Sequence, residues 1–141
     1  MRPPVRFLIA TTALAGLVLL ASGCSSGTGT PSLDGTSWKL TGWSLSSLDP
    51  NDFNFTADFK DGKVTGQSAV NRYSGSYTTG PGDAFSTKET ATTMMAGPEP
   101  AMRAEQAYLK LLGEAASFKV SGSTLTLFDA NGNESLIYAG S

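Results

Sequence analysis

Histidine is absent from the 141-residue chain and cysteine occurs once, at Cys24. The first absence removes the commonest general base together with the commonest metal ligand. The second excludes a disulfide within the chain. No Gly-x-Ser-x-Gly elbow occurs, and no Ser precedes a Lys at the spacing of serine–lysine acyl enzymes, so hydrolysis through those nucleophiles is excluded as well. Charge is sparse, with 10 Lys and Arg against 12 Asp and Glu. A chain without a basic surplus has nothing to neutralise phosphates, which excludes nucleic acid as a partner. There is no repeat at solenoid spacing, and the one long apolar run lies at the N-terminus.

That run, Phe7 to Ala21, follows the positive residues Arg2 and Arg6. A membrane-crossing helix needs about 20 apolar residues. This run is shorter, and Ser22-Gly23-Cys24-Ser25-Ser26 follows it in place of basic stop-transfer residues. The layout predicts a cleaved export signal over residues 1–23. Arg2 and Arg6 are not adjacent, which argues for export as an unfolded chain. Leu20-Ala21-Ser22-Gly23-Cys24 resembles a lipobox with its leucine one place early, and that resemblance implies acylation of Cys24. Two or more acyl chains hold a protein stably on a bilayer. The expected location is the extracytoplasmic face of a cell membrane. Residues 24–32 are small and polar and read as a flexible stalk. Residues 33–141 then form one domain. Without Arg2 and Arg6 the balance is 8 basic against 12 acidic groups, or −4.

Within the domain the period is mostly two, the spacing of half-buried strands. Ser37 to Trp43 alternates, as does Phe53 to Phe59 with its three phenylalanines on one face, and Asp61-Gly62 predicts a hairpin joining the latter to Lys63–Ser68. Further strands are expected at Ser74–Thr78 and, weakly, Phe85–Thr87, with a turn at Gly80-Pro81-Gly82-Asp83 between them. Pro98-Glu99-Pro100 opens the one helix. Its apolar stripe is Ala101, Ala104, Tyr108, Leu111, Leu112 and Ala115, with Arg103, Gln106, Lys110 and Glu114 opposite. Three short strands close the chain, at Ser117–Ser121, Thr124–Phe128 and Ser135–Tyr138, the last pair turned at Asn131-Gly132. Strands, one helix, then strands predict an α+β fold: a curved antiparallel sheet, a partial barrel of seven or eight short strands, packed around the helix.

Val64-Thr65-Gly66, Val70 to Tyr77, Thr92-Thr93-Met94-Met95-Ala96, and Met102, Glu105 and Leu109 on the helix together resemble a META domain of the HslJ type. Leu33 to Trp38 and Leu125 to Gly132 resemble that family's ends, so the likeness spans Leu33 to Tyr138. It implies a small sheet around one helix, often in envelope lipoproteins linked to heat or antibiotic stress and to secretion, with no agreed activity and no cofactor. Relatives often read Gly-Cys-Asn at Ala69-Val70-Asn71 and Met-Ala-Cys at Met95-Ala96-Gly97. Both cysteine places are empty here, so a redox role does not carry over. If the two places face each other, packing around Val70 must replace a bridge that contributes about 2–4 kcal/mol.

The paired carboxyls Asp49 with Asp52, Asp58 with Asp61, and Asp83 with Glu89 sit in or beside turns, where Asp serves the backbone. Asp129, Asn131, Asn133 and Glu134 form too short a run for an EF-hand and belong to a hairpin turn. Asn71, Arg72, Tyr73 and Tyr77 combine a guanidinium with aromatic rings, the mixture enriched at binding hot spots. The competing reading makes Asn71 a turn support and the two tyrosines sheet filling. Trp38 and Trp43, an odd number of residues apart on one strand, are expected on opposite faces, which makes Trp43 a candidate for the same binding surface. These residues favour a non-catalytic envelope binding module holding a protein segment or a lipid-like ligand. The alternative is a secretion or assembly accessory acting through a strand edge.

Overall fold

The computed structural model describes residues 32–141; the export signal and Cys24, with all of the stalk but Ser32, lie outside the described residues. Eight strands run in chain order: β1 (Thr36–Trp43), β2 (Thr56–Lys60), β3 (Lys63–Ser68), β4 (Asn71–Gly80), β5 (Ala84–Thr92), β6 (Ser117–Ser121), β7 (Thr124–Phe128) and β8 (Glu134–Gly140), with helix α1 (Glu99–Glu114) between β5 and β6. Each strand pairs antiparallel with the next, and β8 returns to β1, so the sheet closes into a barrel. The expected α+β arrangement is therefore present, closed where a partial barrel was expected. Closure is thinnest between β5 and β6, which pair only at Ala84 and Ser117. There α1 lies alongside β5, and the Thr87 hydroxyl donates to the Leu112 carbonyl (3.2 Å).

The barrel is filled, with no open concave face. Phe55, Phe59, Phe118, Leu125, Leu127 and Leu136 point inward and are fully buried, each contributing about 1.5–3 kcal/mol. Ala104, Tyr108 and Leu112 of α1 complete the core, as the 3.6-residue stripe predicts. Tyr108 packs 4.8 Å from Phe55 and 5.6 Å from Tyr73, centroid to centroid. Three tyrosine hydroxyls form a chain through the centre: Tyr138 lies 3.0 Å from Tyr108, Tyr108 lies 2.8 Å from Tyr73, and Tyr73 donates to the Thr56 carbonyl (2.6 Å). No buried side-chain polar atom is left without a partner among the described residues, as an unpaired polar group in such an interior would be costly.

Several local expectations shift for identifiable reasons. The strand expected from Phe53 starts at Thr56, preceded by a 3₁₀ turn at Pro50–Asp52 that Asp49 caps by accepting from the Asn51 amide (2.9 Å). The Thr56 carbonyl is taken by Tyr73 and its hydroxyl accepts the Gln67 amide (2.9 Å), which interrupts the ladder between Phe55 and Asp58. β4 and β5 run longer than their alternation indicates, because β5 is polar on both faces and bulges at Glu89, which has a φ of 54°. The two tryptophans do not lie on opposite faces. A bulge between Leu40 and Gly42 inserts Thr41 and reverses the alternation, so Trp38 is buried and Trp43 packs 5.4 Å from Phe55.

Burial raises the hydroxyl pKa values of Tyr73, Tyr108 and Tyr138 well above the ordinary value of about 10. A folded-state pKa above the unfolded one stabilises the fold below about pH 10 and is lost as pH rises further. Half-buried Tyr77 is raised too, first by desolvation and then by the negative charges of Asp34 and Asp61. In an alkaline titration followed by tyrosinate absorbance, one tyrosine should ionise reversibly in the folded protein. The other three should ionise only in step with loss of secondary structure.

Candidate functional site

Antiparallel alternation sorts the connections to two ends of the barrel. Chain entry at Ser32–Gly35, the Asp61-Gly62 hairpin and the turn at Pro81–Asp83 lie at one end. The 44–55 loop, the Ala69-Val70 turn, the 93–98 segment and the 129–133 turn lie at the other. Hydrogen bonds knit the second group together. The Ala69 amide donates to the Asn54 carbonyl (3.0 Å), the Ser44 amide to the Ser135 carbonyl (3.0 Å), and the Trp43 indole to the Leu48 carbonyl (2.8 Å).

Asn71 is the centre of this end. It is buried, and its side chain makes all four hydrogen bonds that an amide allows. Its Nδ2 donates to the Met95 carbonyl (3.1 Å) and to Glu105 Oε2 (2.8 Å), while its Oδ1 accepts from the Met95 amide (2.7 Å) and the Thr93 hydroxyl (2.9 Å). Glu105, 5% exposed, faces it from α1. Its Oε1 accepts from the Asn71 amide (2.9 Å) and the Ser68 hydroxyl (2.5 Å). One buried network thus fixes the β3–β4 turn, the segment before α1, and α1 itself. The sequence places Glu105 in the family-like pattern but gives it no role. The available signal is its position beside Ala104, Tyr108 and Leu112 on the buried stripe, where a carboxyl requires donors.

Above the network, the 93–96 segment and α1 border a groove of about 350 Å³ lined by Thr93, Met94, Met95, Met102 and Leu109, with Asn71 and Glu105 at its floor. Met94 is 96% exposed and Met95 59%. A second groove, of about 280 Å³, flanks the other side of α1 between Leu45 and Leu48 and the residues Arg103 and Ala107.

The candidate binding residues do not gather on one surface. Asn71 and Tyr73 are buried, so the reading of Asn71 as a turn support and Tyr73 as filling is the one the structure matches. Arg72 is exposed near Thr93. Tyr77 packs on Phe59 (4.9 Å) toward the opposite end, where its amide meets the Gly62 carbonyl. Trp43 is half-buried against Phe55. Of the paired carboxyls, Asp49 serves the backbone by capping its turn; in the 129–133 turn Asp129 accepts from the Asn133 (3.0 Å) and Asn131 (2.9 Å) amides, and these bonds hold the carboxyls of both below the usual range. Among the described residues no three His, Cys, Asp or Glu side chains gather as a metal site, and no helix is long and apolar enough to cross a membrane.

Val70 and Gly97, the two places where the family resemblance implies cysteines, do face each other. A Cβ placed on Gly97 would lie 3.5 Å from Val70 Cβ and 2.8 Å from its Cγ2, so the valine fills the space that glycine leaves. Ala69 beside them holds a φ of 73°, a conformation that glycine adopts more easily by about 1 kcal/mol.

Residues 31–139 match the META domain family. Among solved structures, the chain is similar to a Burkholderia xenovorans protein determined by NMR, with a TM-score of 0.65 and 27% identity over 77% of this chain and 83% of that one. A second NMR structure matches with a TM-score of 0.58 at 21% identity, over 76% and 90% of the two chains. A crystal structure of a DUF4847 family protein from Bacteroides vulgatus matches with 0.56 at 13% identity, over 76% and 93%. The last two show the fold alone. No curated protein matches.

A Val70→Cys/Gly97→Cys variant should form a disulfide on oxidation, because the 3.5 Å Cβ separation lies at the short edge of the usual range. It should gain about 2–4 kcal/mol over its reduced form in urea unfolding. Glu105→Ala strands two buried donors, the Asn71 amide and one Nδ2 hydrogen, while the Ser68 hydroxyl can turn to the Asn71 carbonyl (2.9 Å), and should cost about 3 kcal/mol. Hydrogen exchange of the Met95 amide should accelerate, and Glu105→Gln should recover part of the loss.

Proposed function

The chain belongs to the META domain family, and from that premise we propose that it is a non-catalytic binding module of the cell envelope, held on the extracytoplasmic face of a membrane through acylated Cys24. The observation that carries the binding role is the methionine groove. A buried, fully hydrogen-bonded network holds the 93–96 segment in place while Met94 and Met95 stand in solvent. Exposing large apolar side chains beside a rigid frame gains nothing for folding. Methionine is also the side chain most adaptable to varied apolar partners. The barrel interior is occupied by Tyr108 and its neighbours, so the ligand-holding surface lies at the loop end.

The membrane role rests on the apolar N-terminal run and the lipobox-like residues ending at Cys24. The tie to envelope or antibiotic stress that the family resemblance implies belongs to the same reading. Action through a strand edge has less support. The outer edge of β5 beyond Ala84 is flanked by α1, and its bulge at Glu89 and exposed Lys88 oppose added strands.

Membrane fractionation followed by intact-mass spectrometry tests the anchor. The expected species begins at Cys24 and carries acyl chains; an unmodified N-terminus just after Ala21 would overturn it. Denaturing the same sample should release a stoichiometric apolar ligand or leave a co-purified protein, and Met94→Gln/Met95→Gln should deplete either.

A further inference from the structure

Leu45, Met94 and Met95 are the exposed large hydrophobic side chains of the described residues, and all three lie at the loop end of the barrel. Leu45 borders the groove on one side of α1, and the two methionines border the groove on the other. The first half of α1 therefore runs as a ridge between two apolar troughs. Arg103 lines the second trough, but the charges of this end of the barrel as a whole are uneven. Asp49, Asp52, Glu99, Asp129 and Glu134 stand on the loops and element ends here, against Arg72 and Arg103. Arg103 is paired with Glu99 (3.9 Å). Four carboxyls remain beside one guanidinium.

The geometry points to a docking surface for a cationic amphipathic segment of another protein, whose apolar side chains enter the troughs and whose Lys or Arg residues meet the carboxyls on the loops of the same end. This inference rests on the binding reading above and names its partner chemistry. One feature selects a protein segment over a bilayer. The carboxyls of this end would be repelled by anionic headgroups, whereas they attract a basic segment and speed its encounter. Flexible thioethers at an acidic end of the barrel accept basic amphipathic helices of varied sequence.

The test uses the full chain reconstituted in phosphatidylcholine nanodiscs. Binding of a fluorescent amphipathic helical peptide of leucine and lysine is followed by anisotropy, beside the same peptide with glutamate for lysine. The lysine peptide should bind at least roughly tenfold more tightly than the glutamate peptide, and its affinity should fall as salt rises from low to physiological. Met94→Gln/Met95→Gln should weaken it by about tenfold or more. Asp52→Asn/Glu134→Gln should weaken it and flatten the salt dependence. All four side chains are exposed, so the unfolding midpoints should stay unchanged. Equal binding of the two peptides would overturn the charge assignment while leaving an apolar binding module standing. No binding of either, or insensitivity to the methionine changes, would overturn the surface itself. Binding to phosphatidylglycerol vesicles in place of peptide would replace the protein partner with a membrane. Failure of the chain to enter nanodiscs would count against the anchor alone, since the peptide titration runs equally well in solution.

Discussion

The contact between Asn71 and Glu105 holds together parts of the chain that have no other reason to meet. A turn at Ala69-Val70, an irregular segment at 93–96 and the middle of α1 converge on two side chains that satisfy each other and the surrounding backbone. In a low-dielectric interior such a network is costly unless complete, and here every buried side-chain polar atom among the described residues is partnered. Completeness explains why the segment before the helix needs no regular structure: its backbone groups bond to an asparagine in place of a strand.

From that fixed point the barrel can be understood. Its weakest seam, the single pairing between β5 and β6, is where α1 lies. Tyr108 enters the centre from that helix and links β4 to β8 through a chain of hydroxyls. The helix is thus part of the barrel wall and part of its filling. Its N-terminal half stays partly uncovered at the loop end, and the same network that positions it also presents the methionines. A site built this way has a rigid floor and adaptable walls, the combination suited to holding partners of related chemistry.

Val70 and Gly97, at the two places where the family resemblance implies cysteines, fit the same logic. The valine occupies the volume the glycine vacates, so the turn stays packed against the 93–98 segment without a covalent link. The chain thereby keeps its geometry and remains free of an exposed thiol within the domain.

Much of the architecture was legible from the chain because it depends on local rules. Asp61-Gly62 specified a hairpin, with φ values of 52° and 74°, and Pro98 to Ala115 specified the helix and its buried face. Alternation located most of the strands. The same local rules misplaced Trp43, since one inserted residue at Thr41 reverses the inward face and leaves no mark in composition. They extended β2 too far upstream because Thr56 spends its carbonyl on a tyrosine from another strand. The sequence offered Asn71 as a turn support, but its pairing with Glu105, 34 residues away, was invisible, for polar side chains look alike in a sequence whether they face water or each other. The sequence alone determined an α+β domain of the META type, free of histidine chemistry and preceded by an export-like segment. Only tertiary structure decided barrel closure, the filling of its interior and the gathering of the exposed apolar side chains at one end, because each depends on contacts between residues far apart in the chain.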